Sequence, residues 1–195
     1  EGLPDADAGR ILKATLKDLY DGVPIEEVRK SVVLAARTLI EKDPAYSYVT
    51  ARLLLDSLRH EAMGEEATQA EMATKYAEYF PRFVRHGIKI GLLNEALNQY
   101  DMKKLGAALK AERDLQFGYL GGRRFELPQC FFMRVAMGLA LNEVDREARA
   151  IEFYDVLSTF DFMSSTPTLF NSGTHRSQLS SCYLTTVSDD LDGIY

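Results

Sequence analysis

Two stretches near the end of this 195-residue chain hold the residue types that could do chemistry. One is QLSSCYL, residues 178 to 184, which sets one of only two cysteines among serines and a tyrosine. Read as a strand, Ser180, Cys182 and Leu184 share one face and Leu179, Ser181 and Tyr183 the other, so the thiol alternates with polar groups. A free thiol of pKa about 8.5 is only slightly ionised at neutral pH, yet sulfur also does one-electron and disulfide chemistry when a second cysteine approaches. On spacing alone, a reactive and a structural role for Cys182 stay equally open. The other stretch is SSTPTLFNSGT, where Thr166, Thr168, Ser172 and Thr174 could donate to phosphate or ribose oxygens. An ordinary polar loop at a helix end has the same composition. Just downstream, SDDLDG at 188 to 193 could accept ribose hydroxyls or bind a cation, and a serine and aspartate before an apolar pair also start helices.

The remaining reactive side chains point to packing. Cys130 sits in PQCFFMRVA, apolar on most sides, where a thiol is a small inert hydrophobe. His60, His86 and His175 are far apart, and the chain has no C-x-x-C, H-E-x-x-H, Gly-rich phosphate loop or G-x-S-x-G, so zinc and triad chemistry lack support. His60 and His86 fall among charged residues in helical stretches, as surface or capping residues do.

The elements that must position the two stretches are mostly helices. Ile11, Leu12, Thr15, Leu16 and Leu19 share a helical face, with Asp7 as a cap and Gly22 placed to end the segment before Pro24. Val28, Val32, Ala35, Ala36, Leu39 and Ile40 recur at spacings of three and four, Glu26 and Glu27 suit the helix N-terminus, and Asp43-Pro44 stops this second helix. A third runs through YSYVTARLLLDSLRHEAM to Gly64, and a fourth covers AEMATKYAEYFPRFVRHGIKIG, which Pro81 should interrupt or kink. LLNEALNQYDMKKLGAALKAERD continues as helix. Gly121-Gly122 suggests a hairpin or tight connection. Pro128 opens a buried helix, and Ile151, Tyr154, Leu157 and Phe160 line an amphipathic one packed on it.

Composition narrows the partners. The chain is 46% hydrophobic and 27% charged, ordinary for a globular protein, with net charge -6 and no basic stripe. Nucleic acid is therefore not an expected partner. No apolar run approaches the roughly 20 residues of a membrane span, and EGLPDADAG has no secretion-signal character, so a cytoplasmic protein away from the membrane is expected.

With these residues in view, FYDVLSTFDFMSSTPTLFNSGTHRSQLSSCYLTTVSDDLDGIY resembles the entry to the catalytic barrel of the ribonucleotide reductase large-subunit family. DLYDGVPIEEV, DPAYSYVTARLLL, ERDLQFGYL and ELPQCFFMRVAMGLA are similar to the same family, so the resemblance covers essentially the whole chain. It implies a mainly α fold in which a helical N-terminal domain leads into the first strand of an α/β ten-stranded barrel. Residues 1–94 would follow or close an ATP-cone, 95–177 would form the large-subunit helical domain, and 178–195 would start the barrel. One departure is YLGGRRFEL, which closes more directly than the family's usual connection, where a helical stretch intervenes.

By position, the resemblance implies that Thr166 contacts substrate, that Ser181 and Cys182 line the nucleotide site, and that Cys182 is one of two redox cysteines that reduce the ribose and end as a disulfide. Asp189, Asp190 and Leu191 would belong to the allosteric effector site. The radical cysteine, the second redox cysteine and a carboxylate would lie beyond Tyr195. TLFNSGT and SSCYL lean toward the aerobic class I type acting on ribonucleoside diphosphates. Its implied partners are a metal-containing small subunit that supplies the radical, thioredoxin or glutaredoxin as reductant, ATP and dNTP effectors, and a second copy in a homodimer. No metal or cofactor would be held directly by this stretch. An adenosylcobalamin-dependent reductase is the alternative, and a non-catalytic helical interaction module with an incidental Cys182 is the second.

Overall fold

The computed structural model describes residues 3, 6–116, 126–184 and 186. The chain divides into two compact units, Glu1–Phe83 with Asp101–Phe131, and Val84–Tyr100 with Phe132–Tyr195.

In the first unit, helix α1 (Ala8–Thr15) starts at Asp7, whose carboxylate accepts the Gly9 N–H at 2.8 Å. The backbone N–H of Asp7 donates to the Tyr46 hydroxyl at 3.0 Å, which fixes α1 against helix α3 (Ala45–Met63). The expected continuation toward Gly22 does not form. The helix tightens through i to i+3 bonds from Lys17 to Ala14 and from Asp18 to Thr15, and Gly22 takes φ +80 in the turn before Pro24. Ile11 and Thr15 face inward while Leu12 and Leu16 are 59% and 58% exposed, so only part of the predicted stripe is core. Helix α2 (Ile25–Arg37) carries Glu26 and Glu27 in its first turn and ends before the expected stop at Asp43. Ala35, Ala36, Leu39, Ile11 and Tyr46 form one buried cluster with the half-buried Val32 and Ile40, as their spacing predicts. Helix α3 closes on Gly64 at φ +74, the left-handed conformation that glycine adopts without steric penalty.

Helix α4 (Met72–Lys89) runs through Pro81 rather than stopping there. Proline cannot supply the N–H that would bond the carbonyl of Ala77. That carbonyl instead faces Gly106 in helix α5 (Met102–Ala108), where a Cβ would come within 3.0 Å of it. The stretch after α4, expected as continued helix, is broken into a 3-10 turn Glu95–Gln99, α5, and a second 3-10 turn Ala111–Gln116. Its own side chains make the breaks: Asn94 accepts from Ala96 N–H, and Asp101 accepts from Lys103 and Lys104 N–H.

A buried polar knot in this unit had no signature in the sequence. Asp114, fully buried, accepts from Tyr76 Oη at 2.8 Å, Gln129 Nε2 at 2.8 Å and Arg59 Nη2 at 3.1 Å. Arg59 also donates to Gln69, whose amide donates to the Ala111 carbonyl. Burial raises the Asp114 carboxyl above its ordinary value even against these donors.

In the second unit, the C-terminal half of helix α6 (Pro128–Leu139) is apolar apart from Arg134, and Met133, Val135, Ala136 and Met137 are inaccessible to solvent. Tyr100 Oη donates to the Met137 carbonyl at 2.6 Å. Helix α7 (Arg146–Ser158) buries Ala150, Tyr154 and Leu157, so two of the four residues of the predicted face are core, while Ile151 is half-buried and Phe160, past the helix end, is 42% exposed. Phe160, at φ +63 just past α7, stands edge-on to Phe132 with ring centroids 5.8 Å apart. Helix α8 (Thr166–Asn171) follows.

Among the described residues the fold is helical. The strand expected over 178–184 is not formed there: the segment is irregular, and the β-bridge present pairs Leu93 with Thr174. An isolated extended segment has no neighbour to take its N–H and C=O groups, so alternation in the sequence alone cannot make it a strand. The turn expected at Gly121-Gly122 lies outside the described residues.

Candidate functional site

The STPT segment forms α8, with Pro167 in its first turn. Six residues are too few for a self-supporting helix, so neighbouring elements must hold it. Its C-terminal end is anchored on α6. Ser172, fully buried, donates Oγ to the Val135 carbonyl at 2.7 Å. Arg134 Nη2 donates to the Leu169 carbonyl at 3.1 Å, and Nη1 donates to the Ser172 carbonyl. The backbones approach too closely for side chains: a Cβ on Gly138 would lie 2.1 Å from Gly173 N, and one on Gly173 would lie 2.6 Å from the Arg134 carbonyl oxygen. Gly173 also takes φ +74, which turns the chain out of α8.

Past this turn, Asn94 N–H donates to Gly173 O at 3.1 Å and His175 N–H donates to Leu92 O at 3.0 Å. The chain then folds back on α8, where Asn171 Nδ2 donates to Gln178 O at 2.7 Å and Thr168 Oγ1 reaches Leu179 O at 3.4 Å. Gln178 Oε1 accepts the Ser180 N–H at 2.7 Å. The two stretches that the sequence singled out are therefore joined by hydrogen bonds into one loop assembly.

The expected site residues fall out as follows. Thr166 stands exposed at the first position of α8, at the end opposite the α6 anchor. Ser181 and Cys182 are exposed, and the Ser181 hydroxyl lies 3.8 Å from the Cys182 sulfur. Asp189, Asp190 and Leu191 lie outside the described residues. Of the other hydroxyls, Ser172 and Thr174 donate to backbone carbonyls, Val135 and Asn171, so their protons are already engaged and they hold the loop in shape. What the sequence reading missed is Arg134. Its signal was an arginine in the middle of FFMRVAMGLA, a run otherwise without charge.

Cys130 is buried, and burial, with the Glu126 and Asp114 charges adding to it, pushes its thiol well above the ordinary value. It is inert packing, as its neighbours predict. His86 and His175 are exposed, and His60 faces Glu26 and Glu66 at 3.7 and 3.4 Å. Among the described residues no three His, Cys, Asp or Glu side chains cluster as metal ligands, and no helix is long and apolar enough to cross a membrane.

Residues 111–177 match the family model described as "Ribonucleotide reductase, all-alpha domain". The ribonucleoside-diphosphate reductase subunit alpha of Chlamydia muridarum is 44% identical over 202 aligned positions, which cover 97% of this chain and 19% of that protein. The protein of the same name from Helicobacter pylori is 35% identical over 190 positions, 90% of this chain and 23% of the relative. The ribonucleoside-diphosphate reductase large subunit of Danio rerio is 30% identical over 203 positions, 97% of this chain and 25% of the relative. The chain thus spans about a fifth to a quarter of the length of these relatives. Through matches that run over nearly all of its residues, the chain is similar to a part of the ribonucleoside-diphosphate reductase large subunit, and residues 111–177 match the ribonucleotide reductase all-alpha domain.

Proposed function

We propose that this chain is the N-terminal part of a class I ribonucleoside-diphosphate reductase large subunit, which reduces ribonucleotides to deoxyribonucleotides for DNA precursor synthesis. The observation that carries the reading is identity of 30 to 44% to proteins of that name over 90% or more of this chain. Those names describe one subunit of a larger enzyme, which favours a separate small subunit as the radical source over adenosylcobalamin. In this reading residues 1–94 follow or close an ATP-cone, 95–177 are the helical domain, and 178–195 begin the barrel.

The residues take these roles. Thr166, at the free end of α8, contacts substrate, and Ser181 gives a nucleotide polar company. Cys182 gives up its thiol hydrogen together with a second cysteine elsewhere in the subunit. The two sulfurs join in a disulfide, and two electrons and two protons pass to the ribose as its 2′ oxygen leaves as water. A dithiol protein, thioredoxin or glutaredoxin, then reduces the disulfide by thiolate exchange. Asp189, Asp190 and Leu191 bind the dNTP effector, the subunit works as a homodimer, and it resides in the cytoplasm.

The test is a single turnover. The pre-reduced full-length subunit is given a ribonucleoside diphosphate and its radical partner without external reductant, and its disulfides are mapped by mass. Cys182 linked to a distant cysteine in proportion to deoxynucleotide formed is the expected result. Product formed with Cys182 still free would remove its redox role, and no product with either a small subunit or adenosylcobalamin would remove the reductase reading.

A further inference from the structure

We propose that Arg134 is a positioning residue for the substrate-contacting end of α8, acting through the helix carbonyls rather than by touching substrate. The inference rests on the reductase reading for Thr166, and the geometry of Arg134 itself stands without it.

Arg134 is 1% exposed and sits in the apolar half of α6. A guanidinium in such surroundings is costly unless its donors are used in a fixed geometry. Here the fork spans two carbonyls, Leu169 and Ser172, at the C-terminal end of α8. These are the carbonyls a helix leaves without intrahelical partners, and the end where the backbone dipole favours a cation. Two N–H groups of one planar group therefore fix both the axial position and the rotation of a six-residue helix. Thr166 is at the other end of that helix, and Thr168 and Asn171 on it carry the hydrogen bonds to Leu179 and Gln178 that precede Cys182. A shift of the Arg134 fork therefore moves both the threonine and the approach to the thiol. Lysine in its place keeps the charge but cannot bridge two carbonyls as a rigid fork.

The experiment makes Arg134→Lys, Thr166→Ala and the double variant in the full-length subunit, assayed with its small subunit, and follows amide hydrogen exchange of the same proteins. Arg134→Lys is expected to lower kcat/KM for the ribonucleoside diphosphate about tenfold with circular dichroism unchanged, and to cost clearly less than that once Thr166 is alanine, the remainder acting through the approach to the thiol. Exchange over 165–180 should quicken about tenfold while α7 keeps its protection. Additive losses in the double variant, kcat/KM within about twofold of the parent, or unchanged exchange over 165–180 would each overturn the proposal. So would failure of both Arg134→Lys and Arg134→Gln to fold, since the residue would then serve the core and not the helix end. If the parent subunit shows no reductase activity, the functional reading fails on its own, and the exchange result still decides whether Arg134 holds α8.

Discussion

Replacing Gly138 with alanine sets two physical effects against each other. In an exposed helix the change would be favourable by about 0.8–1.0 kcal/mol, because glycine is the poorer helix former. Here the new Cβ would fall 2.1 Å from Gly173 N, 2.3 Å from Ser172 Oγ and 2.7 Å from Gly173 Cα. These are backbone and short side-chain atoms with no flexible end to swing aside, so α6 and the 172–173 turn must part by about 1 Å to reach ordinary contact distances. Parting breaks the 2.7 Å bond from Ser172 to the Val135 carbonyl, worth about 1 kcal/mol, and overpacking adds about 1–3 kcal/mol. The clash outweighs the propensity gain, leaving a net destabilisation of about 1–3 kcal/mol. Urea unfolding of the intact protein should show a lower midpoint with an unchanged slope. A Gly138→Ala protein as stable as the parent, or more so, would mean that the close approach of α6 to the turn is not what requires glycine there.

Other outcomes follow from the same geometry. Asp114→Ala strands the Arg59, Tyr76 and Gln129 donors in the first unit and should cost about 3–5 kcal/mol in urea unfolding, as breaking a buried ion pair does. Because burial raises the native Asp114 pKa, this group's stabilisation is complete below the unfolded value of about 3.9 and is lost as pH rises through the native value. Asp114→Asn should remove that decline from the stability-against-pH curve, and an identical slope in both proteins would contradict it. Iodoacetamide should label the exposed Cys182 in the native protein and leave the buried Cys130 unlabelled until denaturant is added, read by peptide mass. Asp7→Ala removes the α1 cap and should destabilise the first unit by about 1 kcal/mol, measured as a urea midpoint shift.

The sequence by itself determined most of the helical stretches and where several of them begin or end, though not the breaks between Glu95 and Gln116. Local chemistry decides those points: Asp7 caps α1, Gly64 closes α3 and Pro128 opens α6, each acting on its own backbone within a few residues. It also separated the two cysteines by environment, buried against exposed, because the helix around Cys130 is apolar on most sides and the stretch around Cys182 is not. The two stretches of the candidate site were legible as residue types too, with Thr166 and Cys182 both exposed. Tertiary structure decided what local rules could not. Pro81 stays inside α4, and the carbonyl of Ala77 that it leaves without a helical N–H lies against Gly106 of α5, a neighbour that no local rule supplies. Ser172 and Thr174 looked like ligand donors and instead donate to the Val135 and Asn171 carbonyls, the former 37 residues away in the chain. Asp114 and Gly138 had no local signature of their roles, and the lone charge at Arg134 in an apolar run marked the residue without naming its partners, since each role depends on which atoms a distant segment brings within hydrogen-bond or van der Waals range. Periodicity reports which side of an element is apolar, and only packing reports which partner lies against it.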